Sequence, residues 1–125
     1  MRVLFVCVGN TCRSQMAEAL ARNMGLQTES AGTSPGKKIA KNALTVIKEL
    51  EIDMKNQYPK SIEQIDTESF DKIISMGCGV ECPNLPIFAD WGLEDPVGKT
   101  IDFYRNTRDK IQLLLKELPQ TQTDA

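Results

Sequence analysis

The chain has 125 residues, of which 41% are apolar and 26% charged, and its net charge is −2. This size and balance predict one globular domain over residues 1–125 and exclude a disordered or fibrous chain. Because no segment approaches the roughly 20 apolar residues of a membrane span, and because nucleic-acid binders are basic, we expect a cytoplasmic protein with neither membrane nor nucleic-acid partners.

The first half of the chain predicts two strands that alternate with two helices. Residues 3–7 form a continuous apolar run, which suits a strand buried on both faces of a parallel sheet. A helix over residues 14–24, a short strand over 28–31 and an amphipathic helix over 39–50 follow.

The second half predicts a short turn capped by Ser61, a strand over residues 70–76 and a helix over 102–118. The region between the last two, residues 77–98, is mostly loop with a short fourth strand at 87–89. The alternation predicts an α/β fold, a three-layer α/β/α sandwich around a mostly parallel four-stranded sheet.

The types of nucleophile available are restricted. The sequence contains no histidine, which excludes Ser-His-Asp and Cys-His catalysis and imidazole-containing metal sites. It contains four cysteines, which we expect to be reduced thiols in the cytoplasm. Sulfur is therefore the expected nucleophile if the protein is an enzyme.

The segment at residues 7–14, Cys-Val-Gly-Asn-Thr-Cys-Arg-Ser, lies where the first strand passes into the first helix. Such a loop can surround a tetrahedral oxyanion with its backbone N–H groups, and the helix N-terminus adds unpaired amides and a positive dipole end. Glycine and asparagine within it tolerate the backbone conformations that this requires. The predicted oxyanion-binding residues are Val8, Gly9, Asn10, Thr11, Cys12 and Arg13.

The same loop is expected to activate Cys7 as a thiolate. A free thiol titrates near about 8.5, and helix N-termini and cationic neighbours lower that value. Arg13 can hold two oxygens with its planar guanidinium group, and Ser14 is placed to donate a hydrogen bond to the sulfur. We therefore predict that Cys7, Arg13 and Ser14 act together in catalysis.

Two other interpretations of these residues remain open. Cys7 is a small buried hydrophobic residue and Arg13 a surface charge if the Cys-x5-Arg spacing arose by chance. A zinc site of four cysteines is the other, although neither cysteine pair has the usual two intervening residues. The position of the motif between a strand and a helix favours the oxyanion loop, and we predict no metal site.

Residues 6–14 resemble the signature of the low-molecular-weight protein tyrosine phosphatase superfamily, which also contains the thiol-dependent, thioredoxin-linked arsenate reductases. Gln-Met-Ala-Glu at residues 15–18 is similar to the reductase branch, since phosphatases commonly have proline after the serine. Further matches span nearly the whole chain: Ser30-Ala31-Gly32, Cys78, Cys82-Pro83, and Trp-Gly-Leu-Glu-Asp-Pro-Val-Gly-Lys at 91–99.

This resemblance implies that the protein reduces arsenate to arsenite in arsenic detoxification. It also implies that Asp95 is the general acid, which agrees with the need for a proton donor to a departing oxygen in a chain without histidine. No bound cofactor is expected.

The resemblance further implies a thiol/disulfide relay. Cys78 or Cys82 attacks the Cys7 sulfur, the disulfide then moves to the Cys78–Cys82 pair, and an external reductant, thioredoxin by resemblance, opens that pair. Glycines 77 and 79 flank Cys78 and are expected to let this loop move. The order of the two late cysteines stays open, as does a version in which a low-molecular-weight thiol supplies the electrons and only Cys7 is essential.

Two further residues are ambiguous. Cys12 either forms a protective disulfide with Cys7, as its counterpart does in the phosphatases, or fills space beneath the loop, which we favour. Some related reductases bind potassium through residues matching Asn10, Glu18, Ser30 and a later aspartate. That last position aligns near Lys60, whose ammonium group could lie where the cation would, so no obligatory potassium is expected.

Two alternative functions remain. One is a phosphatase acting on phosphotyrosine or a small phosphoester through Cys7, Arg13 and Asp95. The tyrosines that commonly flank the acid loop of such phosphatases are absent, because Val-Gly-Lys follows Pro96. The other is a non-enzymatic oxyanion or arsenite sensor, which no DNA-binding helix pair or basic face supports.

Overall fold

The computed structural model describes residues 1–77 and 85–118. Two of the predicted catalytic residues, Cys78 and Cys82, lie outside those residues. The features that position the predicted oxyanion loop are all described.

Four parallel strands form the central sheet, with β1 in its interior. β1 (Arg2–Cys7) lies between β2 (Gln27–Gly32) and β3 (Lys72–Ser75), and β4 (Ala89–Asp90) pairs with β3. Every pairing is parallel, in the order β2-β1-β3-β4. The apolar run of β1 is buried on both faces, as a central strand of a parallel sheet requires. The predicted α/β fold is confirmed.

Three helices cover one face of this sheet: α1 (Arg13–Asn23), α2 (Lys41–Lys48) and α3 (Ile101–Lys116). Their apolar side chains form one buried cluster with Val3, Phe5 and Cys7 of β1. Leu4 and Val6, which alternate with these residues, pack into a smaller cluster on the other face. Two short 3-10 helices, Ile62–Gln64 and Thr67–Ser69, lie between β2 and β3 in the chain, and Ile62 packs against this second cluster.

The bounds of several elements differ from the predicted ones, and those of α2 and β4 are two examples. Helix α2 begins later than residue 39, because Ala40 is extended (φ −60°, ψ 139°) and its N–H donates to the carbonyl of Thr11 at 3.0 Å. The helix also ends earlier than residue 50, and the chain then turns through Glu51 at a positive φ of 63°. The fourth strand starts at Ala89 rather than at residue 87. Within residues 1–77 and 85–118, no helix has the length and apolar character of a membrane span.

An exposed ion-pair cluster joins α2 to α3. The carboxylate of Glu49, at the end of α2, accepts hydrogen bonds from Arg105 and Arg108 of α3, with the shortest contact to each at 2.7 Å. These hydrogen bonds lower the pKa of Glu49 from 4.5 to about 2. Because the folded-state pKa is lowered, the contribution of Glu49 to stability is present above its unfolded pKa and is lost as the pH falls towards 2.

We expect Glu49→Gln to lower the melting temperature at pH 7 and to do so less as the pH falls from about 4.5 towards 2, where the wild-type carboxylate is protonated too. Added salt should also reduce the difference, since the pairs are exposed. Thermal unfolding at pH 7, 4 and 3 measures this. Glu63→Gln is the matched control, because Glu63 is exposed and makes no ion pair with the described residues. A Glu49→Gln effect that does not change with pH would contradict the assignment.

Candidate active site

The loop at residues 7–13 is held by a neighbouring segment, residues 33–40, which follows β2. Four loop carbonyls accept hydrogen bonds from amides of that segment. The pairs are Thr33 to Cys7 at 3.1 Å, Ser34 to Val8 at 2.9 Å, Gly36 to Gly9 at 2.9 Å and Ala40 to Thr11 at 3.0 Å. These bonds direct the loop carbonyls towards residues 33–40, which the sequence analysis did not anticipate.

The loop amides are consequently free to bind an anion. Within residues 1–77 and 85–118, Asn10 is the one loop residue whose N–H is engaged, as a donor to the Cys7 Sγ at 3.1 Å. The amides of the other five predicted oxyanion-binding residues donate to no atom of the described residues. All of these residues line a pocket of about 480 Å³ together with Cys7, Gly77 and the segment Leu93–Asp95. The amides, the sulfur and the helix N-terminus thus converge on one pocket.

Asn10 determines the shape of the loop. It is fully buried and has a left-handed backbone conformation with φ 54°, which asparagine adopts more readily than most residues. Its Oδ1 accepts hydrogen bonds from the Gln15 Nε2 and from the Lys60 backbone N–H, both at 3.0 Å. Its Nδ2 donates to the Ser14 Oγ at 2.8 Å.

The Cys7 sulfur has two polar contacts among the described residues. Besides the Asn10 N–H, the Ser14 Oγ lies 2.9 Å from Sγ. Both groups are hydrogen-bond donors to a thiolate, and donors to the charged form of an acid favour that form. The catalytic roles of Cys7 and Ser14 remain predictions.

Arg13 is buried beside the pocket. Its Nη1 donates to the carbonyls of Met76 at 2.9 Å and Leu93 at 2.7 Å. Since Nη1 is used by the protein, the predicted two-oxygen contact falls to Nε and Nη2, which have no partner among the described residues. Both carbonyl acceptors lie more than 60 residues from Arg13 in the chain, so no local spacing predicts them.

Gly77 lies against the same anchor point. A Cβ at residue 77 would be 2.7 Å from the Leu93 carbonyl oxygen and 2.8 Å from its nitrogen, and φ is 103°. Glycine at residue 77 therefore allows the chain to pass this close to the Leu93 backbone. The mobility predicted for this loop concerns residues outside the described ranges.

Asp95 lines the pocket and is exposed to solvent. Its Oδ1 accepts the N–H of Val97 at 3.1 Å, which fixes the turn on the far side of Pro96. Solvent exposure would allow a carboxyl group here to regain a proton after each turnover. The role of Asp95 as general acid remains a prediction.

Cys12 is buried and lines the same pocket as Cys7. Its Sγ lies 3.5 Å from the Tyr104 hydroxyl, and burial raises the pKa of the Cys12 thiol. Burial raises the pKa of Tyr104 as well. Tyr104 lies 92 residues from Cys12 in the chain, and no sequence pattern predicts this contact. This arrangement agrees with a packing role for Cys12, which remains a prediction.

The residues matching the potassium ligands of related reductases all have protein partners. The Glu18 carboxylate accepts from the Ser30 hydroxyl at 2.6 Å and pairs with Arg22. The Lys60 ammonium group pairs with Glu29 at 3.3 Å, and the cation that pairs with Glu18 is Arg22. The described part of the chain contains no cluster of three metal-ligating residues.

Comparison with known proteins identifies the family. Residues 2–124 match the family described as low molecular weight phosphotyrosine protein phosphatase. The chain belongs to this family.

Several relatives within the family are named as arsenate reductases. The chain is 36% identical to a glutaredoxin arsenate reductase of Synechocystis sp., covering 94% of this chain and 95% of the relative. It is 31% identical to an arsenate reductase of Staphylococcus xylosus, covering 91% and 92%.

Solved structures show the same relationship. A structure of an arsenate reductase in the phosphate-binding state superposes with a TM-score of 0.84 at 34% identity, covering 92% of this chain and 93% of that one. An arginine phosphatase from Geobacillus stearothermophilus superposes with a TM-score of 0.79 at 30% identity, covering 92% and 88%. The fold therefore serves both reductases and phosphatases.

We expect Gly77→Ala to weaken the binding of inorganic phosphate by about tenfold or more, equivalent to about 1.4 kcal/mol. The added methyl displaces Leu93, whose carbonyl anchors Arg13. Isothermal titration calorimetry with phosphate measures the effect.

Gly25→Ala is the matched control for the backbone strain of a Cβ at positive φ. Gly25 has φ 95° but no atom within 4 Å of its added Cβ, so this variant should lose stability and keep its affinity for phosphate. Equal phosphate affinities for the two variants would contradict the anchoring of Arg13 by Leu93.

Proposed function

We propose that this protein reduces arsenate to arsenite with Cys7 as the nucleophile. The observation that carries the proposal is the convergence of unengaged loop amides, Arg13 and the Cys7 sulfur on one pocket. The relatives named as arsenate reductases support the same reaction. Arsenate is a tetrahedral oxyanion with nearly the shape and charge of phosphate, so donors arranged around phosphate also suit arsenate.

The first step is a displacement at arsenic. The loop amides and the Nε and Nη2 of Arg13 bind the arsenate oxygens, and the Cys7 thiolate attacks the arsenic atom. A sulfur–arsenic bond forms, an arsenic–oxygen bond breaks, and Asp95 protonates the departing oxygen, which leaves as water. The Ser14 hydroxyl and the Asn10 N–H stabilise the sulfur before it attacks.

The second step transfers two electrons. The Cys78 thiolate attacks the Cys7 sulfur, a disulfide bond forms, and the electron pair of the sulfur–arsenic bond stays on arsenic, which leaves as arsenite. The Cys82 thiolate then attacks the Cys78 sulfur and releases the Cys7 thiolate. Cys78 and Cys82 lie outside the described residues, so this step is supported by the sequence and its resemblance.

An external thiol completes the cycle by reducing the Cys78–Cys82 disulfide. Thioredoxin is the reductant implied by the sequence resemblance, whereas the Synechocystis relative carries glutaredoxin in its name. A low-molecular-weight thiol that acts directly on the Cys7 adduct is the third source of electrons. We place the reaction in the cytoplasm, where thiols are kept reduced.

NADPH oxidation with arsenate tests the proposal, coupled either to thioredoxin and its reductase or to glutathione, glutaredoxin and glutathione reductase. We expect arsenate-dependent turnover that Cys7→Ser abolishes with both reductants. Cys78→Ser and Cys82→Ser should abolish it with the reductant that uses the relay. Phosphoester hydrolysis that survives both of these changes, without arsenate reduction, would make the protein a phosphatase.

Asp95→Asn should lower kcat by about 10²- to 10⁴-fold, the range for loss of a general acid. Asp90→Asn is the matched control. Asp90 is exposed and forms the same turn, with its Oδ1 accepting the N–H of Gly92 at 3.2 Å. Equal rates for Asp95→Asn and Asp90→Asn would exclude Asp95 as the acid.

Replacing potassium by sodium at constant ionic strength should change the reductase rate by less than about twofold, the size of a general salt effect through screening. The Asn10 Oδ1 and the Glu18 carboxylate already accept hydrogen bonds from protein donors, and the Ser30 hydroxyl is one of the donors to Glu18. Steady-state rates in the two salts, with choline chloride as the control, measure this. A marked stimulation by potassium alone would show the expectation to be wrong.

A further inference from the structure

A chain of buried side-chain amides connects the far side of α1 to the site. At its outer end, the Arg22 Nη1 donates to the Gln57 Oε1 at 3.0 Å. The Gln57 Nε2 donates to the Gln15 Oε1 at 2.8 Å and to the Gln15 backbone carbonyl at 3.0 Å. Gln15 is fully buried and Gln57 is 9% exposed. Nothing in the proposed reaction uses either glutamine.

The inner end of the chain reaches the residues around the sulfur. The Gln15 Nε2 donates to the Asn10 backbone carbonyl at 3.1 Å and to its Oδ1 at 3.0 Å. These two bonds hold the backbone and the side chain of one residue, Asn10, which has the left-handed conformation. The Asn10 N–H and Nδ2 are in turn the groups that contact Cys7 and Ser14.

The direction of every bond in this chain is fixed by partners that can only donate or only accept. A guanidinium group only donates and a backbone carbonyl only accepts, which together orient the Gln57 amide. The Asn10 carbonyl orients the Gln15 amide in the same way, and the Lys60 N–H orients the Asn10 side chain. Because Asn10 Nδ2 donates to the Ser14 Oγ, the one hydroxyl proton of Ser14 remains for Cys7.

We propose that Gln15, held by Gln57, is a positioning residue that keeps Asn10 in its left-handed conformation and so directs the Asn10 N–H and the Ser14 hydroxyl at the Cys7 sulfur. The proposal rests on the assignment of Cys7 as the nucleophile. Among the described residues, Asn10 is the one pocket-lining residue to which the Gln15 side chain hydrogen-bonds, so we infer that Gln15 acts through Asn10.

The test measures the rate of Cys7 alkylation by iodoacetamide as a function of pH, with peptide mass spectrometry to separate Cys7 from the other cysteines. Gln15→Met should raise the midpoint of this profile by about one pH unit, a tenfold smaller thiolate fraction below the midpoint. Gln57→Met should raise it by less, since Gln15 keeps its own bonds to Asn10. Gln27→Met is the control, because Gln27 is exposed and its side chain makes no hydrogen bond to the described residues.

These substitutions change no charge. The charged and titratable groups that line the same pocket stay the same: Arg13, Cys12, Glu94 and Asp95. Tyr104, from α3, stays unchanged beneath Cys12. A shifted midpoint therefore reports the hydrogen bonds to the sulfur.

The double variant Gln15→Met/Gln57→Met tests whether Gln57 acts through Gln15 or independently of it. If Gln57 acts through Gln15, the second substitution adds little to the first, and the shifts are not additive. Midpoints that equal the wild-type value in folded Gln15→Met and Gln57→Met would overturn the proposal. Should Gln15→Met fail to fold, the Gln57→Met profile alone decides.

Different outcomes would contradict the proposed function and the positioning role of Gln15. Absence of arsenate reduction in the wild type, with the alkylation profile shifted in the variants, would overturn the reductase assignment and support the positioning role. Arsenate reduction in the wild type with unshifted variant profiles would support the reductase assignment and overturn the positioning role.

Discussion

The site depends on the hydrogen bonds from residues 33–40 to the carbonyls of the loop at residues 7–13. A short loop has as many carbonyls as amides, and an anion can be bound only if the carbonyls face elsewhere. Here β2, which pairs with β1, continues into residues 33–40, whose amides donate to the loop carbonyls. Gly32, at the end of β2, allows the close approach, because a Cβ there would lie 2.4 Å from the Val8 oxygen. The parallel sheet thus places both segments at its carboxyl edge, where ligands of open α/β sheets bind.

A second set of contacts ties the loop to distant parts of the chain. Arg13 joins the start of α1 to the end of β3 and to the segment that contains Asp95. From the region between α2 and β3, the Lys60 N–H donates to Asn10 of the loop, and Gln57 donates to Gln15 of α1. Charge-assisted and buried hydrogen bonds of this kind fix geometry as well as contributing energy. A fixed geometry is what a site needs if its donors are to be oriented before the anion arrives.

The parts of this arrangement that could be predicted from the sequence are the local ones. These are β1, the loop that follows it and the start of α1, which are contiguous in the chain. The sequence spacing of Cys7, Arg13 and Ser14 therefore predicts that they lie close together. The roles of residues 33–40, Gln57 and Tyr104 depend on contacts between segments that are distant in the chain, and no spacing encodes those. Lys60 illustrates how little a matching position says about contacts. Its position in the alignment suggested an ammonium group where the cation of related reductases would lie. In the structure that group pairs with Glu29, and the Lys60 backbone N–H donates to Asn10.

Binding of a tetrahedral anion by the loop amides is the central claim, and nuclear magnetic resonance of the backbone amides during a phosphate titration tests it most directly. We predict that the amides of residues 8, 9 and 11–13 shift together with one dissociation constant, while those of residues 33, 34, 36 and 40 shift less because they already donate to the loop. Saturable shifts confined to another surface, or no saturable shift of the loop amides, would contradict it.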